Sequence, residues 1–300
     1  MGKVVAVVNR KGGVGKTTLT VALADTLISE KAKDVCVLDM DPQASATISL
    51  AGAERTFHFT RRNLALANLI SARLERPDIP RDDYVVKMVN VIRGRANIGL
   101  DVIPNSDAFW SLELDLLQAR QMEALQSAIT DLINELRIFY DFVLIDCPPG
   151  QSAGSEAALL ASDLILCPTA ADRLSIWGMS SLGQYFERIG GGLSEKALFL
   201  INRYKGSLKE HKAAFGFLKD GVVPEGWDVT PEKPMFPLLR LLQNDELRGG
   251  AGEIATVRES QNFVGRLGVD SPKTFQSIYG TEAGSDLRKV VNALIRELDR

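Results

Sequence analysis

The sequence predicts an α/β fold, a mostly parallel twisted sheet with helices on both faces. Three observations carry that prediction. Short β-branched runs alternate with longer stretches of helical period, the pattern of strands joined by crossover helices. The runs are almost wholly apolar, as strands covered on both faces are. A glycine-rich turn joins the first run directly to the first helical stretch.

Strands are expected at Val4–Val8, Val35–Asp39, Leu100–Ile103, Phe142–Asp146, Leu164–Cys167 and Leu198–Ile201. After the glycine turn, Leu19, Leu23 and Leu27 mark the first helix. Leu125, Ile129, Leu132, Ile133 and Leu136 fall on one helical face, and Leu287, Val290, Val291, Leu294, Ile295 and Leu298 repeat that spacing near the carboxyl end. Glu297 and Asp299 dilute the charge of this last helix, so it reads as a packing helix rather than a basic membrane anchor. Two stretches break the alternation and read as insertions at about 52–98 and 205–285 on a single domain spanning 1–300. The first holds, from Arg55 to Arg95, nine Lys or Arg against four Asp or Glu. The second is rich in Gly, Pro and mixed charge, with Trp227, Phe236, Phe263, Phe275 and Tyr279 available for a partner interface or a local core.

Composition narrows the function classes. The net charge of −3 sets up no global positive field toward nucleic acid or anionic lipid, so any such contact needs a local patch or a switched surface. The three cysteines, Cys36, Cys147 and Cys167, have no metal-ligand spacing and sit in apolar runs, which predicts buried reduced thiols. No run approaches the roughly 20 apolar residues of a membrane span, and the amino-terminal run is too short for a signal region. A cytoplasmic chain is expected.

Residues Lys11-Gly12-Gly13-Val14-Gly15-Lys16-Thr17-Thr18 lie between the first strand and the first helix, the context a phosphate-binding P-loop requires. Glycines let successive backbone N–H groups face phosphate oxygens, and the helix amino terminus adds partial positive charge. Lys16 supplies a point charge to the β- and γ-phosphates, and the Thr17 hydroxyl suits Mg2+. The expected fold is therefore that of a P-loop NTPase, and the loop's deviant two-lysine form points to ATP with Mg2+ as the cofactors. Arg10 stands where the general pattern GxxxxGK[ST] has its first glycine, and Lys11 is an additional lysine.

In this two-lysine loop the chain resembles the ParA/MinD family of deviant Walker A ATPases. The resemblance implies that Lys11 reaches across a dimer interface to the partner's ATP. Asp39-Met40-Asp41-Pro42-Gln43 is similar to the family's next acidic motif, at the carboxyl edge of the sheet where open α/β folds bind ligands. It implies Mg2+ held through water at Asp39 and an attacking water oriented by Asp41, although an Asp before Pro also starts helices. Tyr140 to Gly150 looks like the family's Walker B region, which makes Asp146 the second metal carboxylate and Pro148, Pro149 and Gly150 a γ-phosphate-sensing turn. Pro168 and Thr169 match the nucleotide wall, and Asn202 matches the adenine-reading asparagine, where a turn-forming asparagine is the other reading. The resemblance covers residues 1 to about 203 and is loose beyond.

The family's iron–sulfur members are set aside because the cysteines cannot hold a cluster. The resemblance then implies a ParA-like ATPase that dimerises on ATP and binds DNA nonspecifically, through the nucleoid where DNA is held. Hydrolysis stimulated by a ParB-like or cargo-adaptor protein would segregate or position a plasmid, chromosome or other cargo, without a membrane. Arg61, Arg62, Arg93 and Arg95, or Arg203, Arg240, Arg258 and Arg266, are candidate DNA contacts, and a solvated insertion face accounts for the first set equally well. The alternative is a regulatory or metabolic ATPase of the same fold that acts on a protein or small molecule without DNA.

Overall fold

The computed structural model describes residues 1–87, 89, 92, 98–220, 223–227, 255–258 and 274–299, with 218–220 and 255–258 described by backbone alone. In chain order the elements are β1 (Lys3–Val7), α1 (Lys16–Lys31), β2 (Val35–Asp39), α2 (Ser45–Ala51), α3 (Ala53–Arg61), α4 (Leu66–Glu75) and a 3-10 turn at Asp82–Tyr84. Then follow β3 (Leu100–Ile103), α5 (Ala108–Gln118), α6 (Met122–Phe139), β4 (Phe142–Asp146), α7 (Ala153–Ala161), β5 (Leu164–Ala170) and α8 (Arg173–Ile189). The order closes with β6 (Ala197–Tyr204), α9 (Lys209–Asp220), β7 (Ala255–Arg258), α10 (Phe275–Tyr279) and α11 (Thr281–Leu298).

The strands form one sheet in the order β3-β2-β4-β1-β5-β6-β7, and every pairing among them is parallel. Parallel strands put all their carboxyl ends on one edge, so the residues that follow β1, β2, β4, β5 and β6 are gathered there. Side chains alternate between two buried layers. Val4, Ala6, Cys36, Leu38, Val143 and Ile145 pack with α4 to α9, whereas Val5, Val7, Val35, Val37 and Leu144 pack with α1, α10 and α11. That is the two-faced covering expected of these nearly continuous apolar runs.

The apolar face of α6 (Leu125, Ile129, Leu132, Ile133, Leu136) is fully buried, and that of α11 (Leu287, Val290, Val291, Leu294) is nearly so, as the periodicity predicts. β5 runs past Cys167 to Ala170 because β6 continues beside it, with Thr169 opposite Ile201 and Ala170 opposite Asn202. β7 was not visible in the sequence. It is a four-residue strand hydrogen-bonded to β6, inside the stretch where no clean period exists.

Among the aromatic residues of that stretch, Phe275 and Tyr279 stack with ring centroids 4.9 Å apart in the buried layer beneath α1, and Trp227 packs 5.3 Å from Phe217. These three serve a local core. Phe236 and Phe263 lie outside the described residues, as do Arg93, Arg95, Arg240 and Arg266, and Arg258 is described by backbone alone. In the basic stretch, Arg73 and Arg81 both pair with Glu135 of α6, Arg73 at 2.6 Å, and both side chains are nearly buried. They pin residues 73–81 to α6 and are not part of the basic surface that the local charge count suggests.

Candidate functional site

The glycine loop begins where β1 ends. Asn9, which is buried, donates from Nδ2 to the Pro168 carbonyl at 2.8 Å and accepts the Lys11 N–H on Oδ1 at 2.9 Å. One carboxamide thus ties the start of the loop to the end of β5. Gly13 and Gly15 have φ of 75° and 90°, a left-handed conformation that side chains adopt at a cost. At Gly15 there is also no room: a Cβ would lie 2.3 Å from Nδ2 of Asn202. That amide donates to the Val14 carbonyl at 2.9 Å, so Asn202 braces the loop from the end of β6. Gly12 and Thr18 are exposed on the rim, and Val14 is buried beneath them.

Lys16 opens α1 and is buried, with Nζ 3.4 Å from the Lys11 carbonyl. Burial lowers its pKa, opposed by the nearby charges of Asp146, Cys147 and Asp41. Thr17 donates to Asp146 Oδ2 at 2.7 Å, and Thr20, one turn on, lies 3.2 Å from Asp146 Oδ1. Both oxygens of Asp146 are therefore met by hydroxyls of α1.

Asp39 and Asp146 end adjacent strands and are partners in the β2–β4 register. Both are fully buried. Asp39 Oδ2 accepts the Thr47 N–H at 2.8 Å and the Thr47 hydroxyl at 2.7 Å, and Oδ1 accepts the Asp41 N–H at 3.1 Å. Burial pushes both carboxyls well above the usual carboxylate range, and at Asp146 the charge of Asp39 adds to it. Two buried carboxylates that favour a proton are hard oxygen donors short of positive charge. With the Thr17 hydroxyl beside them and the Lys16 ammonium nearby, they fit Mg2+ bound to a triphosphate.

Asp41 is half-buried, and its Oδ1 accepts the Gln43 N–H at 2.9 Å, an Asx turn over Pro42 that leads into α2. It does not cap that helix, whose N-cap position is Ala44. Lys11 is on the outer rim, its side chain 44% exposed, with Nζ donating to Ser175 Oγ at 2.7 Å and 3.7 Å from Asp172 Oδ1. Asp172 itself caps α8 by accepting the Ser175 N–H at 2.8 Å. Leu174 and Trp177, 69% and 44% exposed, flank this contact on α8.

The structure thus brings Lys16, Thr17, Asp39, Asp41, Asp146, Pro168 and Asn202 to one sheet edge around the loop, and leaves Lys11 at its outer surface. Sequence reading missed Asn9, Thr20 and Thr47. The signal for Thr20 and Thr47 was a threonine within the first five residues of each helix that leaves an acidic or phosphate motif. Among the described residues no cluster of three or more His, Cys, Asp or Glu side chains forms a separate metal site, and no helix is long and apolar enough to cross a membrane.

Comparison with known proteins bears on the same loop and sheet edge. A family profile described as "AAA domain" matches residues 2–197. The chain is 28% identical over 273 residues to an uncharacterised protein of Pseudomonas putida, covering 86% of this chain and 94% of that one. It is 29% identical over 270 residues to the chromosome partitioning protein ParA of Caulobacter vibrioides, covering 86% and 93%. A putative plasmid partition protein from Borrelia burgdorferi, solved bound to AMPPNP, superposes with a TM-score of 0.70 at 19% identity, over 99% of this chain and 100% of that one.

Proposed function

The chain belongs to the AAA-domain P-loop ATPases of the ParA/MinD type, and from that premise we propose that it is a ParA-like positioning ATPase. On this reading it dimerises on ATP, holds DNA nonspecifically, and is reset by hydrolysis that a partner protein stimulates. One observation carries the reading. The loop has one lysine turned in, Lys16, buried beside the paired carboxylates, and one turned out, Lys11, half-exposed on a surface that also exposes Leu174 and Trp177. An inward lysine serves the chain's own nucleotide. An outward one, beside apolar side chains, suits a second copy.

Thr17, Asp39 and Asp146 would hold Mg2+, which would supply positive charge against the charge that develops on the triphosphate during phosphoryl transfer. The chain's own groups do the rest. Asp146 and Thr17 offer oxygens at the end of β4 and the start of α1. Asp39, fixed on both oxygens by Thr47 and the Asp41 N–H, offers the third. Gly13 and Gly15 let the loop N–H groups face the phosphates. Asp41, anchored by its Asx turn but not buried, is placed to orient a water for in-line attack. Asn202 and Pro168 wall the nucleotide, with Asn202 giving up its bond to Val14 where it reads the base. Lys11 leaves Ser175 and Asp172 to meet the partner's triphosphate. The exposed ion pair it gives up contributes little.

Three variants order these roles. Lys16→Ala is expected to lose nucleotide. Lys11→Ala keeps nucleotide and loses the ATP-dependent dimer. Asp41→Ala keeps the dimer and stops turnover. Light scattering and phosphate release measure all three, and a Lys11→Ala chain that dimerises as wild type does would remove the outward-lysine argument. Retention of wild type on duplex DNA only with Mg2+ and ATP, lost at high salt, supports the DNA step. A dimer that forms without any such retention points to the regulatory or metabolic reading.

A further inference from the structure

We propose that one face of α3 is the surface that contacts the DNA backbone, an inference that rests on the partition reading above. The face is centred on His58. Arg55 lies three residues before it, Arg61 three after and Arg62 four after, so all four side chains share one side of the helix, and all are exposed. Glu54 is the sole acidic residue in the helix. Arg55 Nη2 donates to the Lys87 carbonyl at 2.8 Å, and Arg62 Nη1 lies 3.4 Å from His58 Nε2. Among the described residues no carboxylate comes within ion-pair distance of Arg55, Arg61 or Arg62.

The contrast within the same stretch is informative. Arg73 and Arg81 are neutralised by Glu135 and nearly buried. Lys87 is likewise paired, with Asp82 at 3.1 Å, whereas Arg55, Arg61 and Arg62 form a row with no carboxylate partner among the described residues. The row lies on a chain whose net charge is −3, so it is not a sample of a generally basic surface. Phe57, four residues before Arg61, is 65% exposed, an aromatic left in water beside guanidinium groups.

The chemistry of the row points to a phosphate polymer. Guanidinium forks bind phosphate oxygens bidentately. Seven residues of helix separate Arg55 from Arg62, roughly 10 Å at the α-helical rise, which is about three phosphates along one DNA strand. A small anion cannot engage the whole row, but a duplex backbone can, without reading bases.

The same face is tied to the nucleotide site. α3 joins α2 through Gly52, at φ 81°, and α2 carries Thr47, whose N–H and hydroxyl hold Asp39. Only α2 separates the arginine row from the metal carboxylate. The ATP-dependent dimer presents this row twice, which ties DNA contact to nucleotide.

The test uses the full chain with Mg2+ and ATP on random-sequence duplex across a salt series. Arg61→Glu/Arg62→Glu is expected to weaken retention at least tenfold, while dimer mass and basal phosphate release stay at wild-type values. Arg61→Ala/Arg62→Ala covers the case in which charge reversal impairs folding. It is expected to lower the slope of log affinity against log salt by about 1.8 for each subunit that touches the duplex, two phosphates at about 0.9 each. If wild type is retained and both variants match it in affinity and slope, the surface is wrong and the DNA reading stands. If wild type forms its ATP dimer and is not retained at any salt, the DNA reading itself fails. Binding of wild type to anionic vesicles rather than duplex, abolished by the same substitutions, also overturns the proposal.

Discussion

Asp146 is where stability and chemistry pull apart. Its carboxyl and that of Asp39 end adjacent strands, buried, and burial raises both. A carboxyl whose folded pKa exceeds its unfolded one contributes most below the ordinary carboxylate range, and that contribution is lost as pH rises through the raised value. The nucleotide-free chain is therefore expected to melt at lower temperature as pH climbs from about 5 to 8. Asp146→Asn removes the penalty. It is expected to melt above wild type near the upper pH, to approach wild type near the lower one, and to lose Mg2+-dependent nucleotide binding. Thermal unfolding at both pH values, with and without Mg2+, checks it, and a variant that melts below wild type at high pH would contradict the account. At this scale the residues with distinctive chemistry were legible. Lys16, Thr17, Asp39 and Asp146 stand in contiguous motifs and meet at the sheet edge, while Lys11, in the same motif, stays on its outer rim. Asn9, Thr20 and Thr47 are ordinary residue types, and their importance comes from the group each happens to face.

Among the elements, the legible ones are those whose period is long enough to see. α6 and α11 each present a face of four or more apolar residues over 18 residues; that of α6 is buried throughout, and that of α11 is buried from Leu287 to Leu294, with Ile295 and Leu298 partly buried at its end. Leu287, fully buried against α1 and the sheet, is a test of that packing. Leu287→Ala is expected to cost about 2–5 kcal/mol in equilibrium denaturation, with nucleotide contacts untouched. A loss under about 1 kcal/mol would mean that α11 is only loosely docked. β7 escaped notice because four residues carry no period, and a strand paired, among the described residues, to β6 alone needs little apolar character. Arg73 and Arg81 escaped for another reason. Their partner, Glu135, lies over fifty residues away on α6, so a local charge count cannot see the neutralisation.

For the whole molecule, the parallel order gathers five strand ends into one edge, and both buried layers meet the nucleotide through it. Ligand that binds there only in the folded state stabilises the chain as a unit. Mg2+ with ATP at about one hundred times Kd is expected to add about 2.7 kcal/mol, read as one upward shift of a single melting transition. Two transitions, with only one shifting, would show the two layers unfolding separately. The three cysteines follow the same geometry: Cys36, Cys147 and Cys167 are fully buried in strands or at a strand end, and burial pushes each thiol up. A maleimide dye therefore finds no native target in the folded chain. One cysteine engineered at Lys11 or on α3 becomes the sole reactive handle without removing any other. In the unmodified chain, slow labelling of Cys147, next to Asp146, becomes a clock for how often the nucleotide edge comes apart.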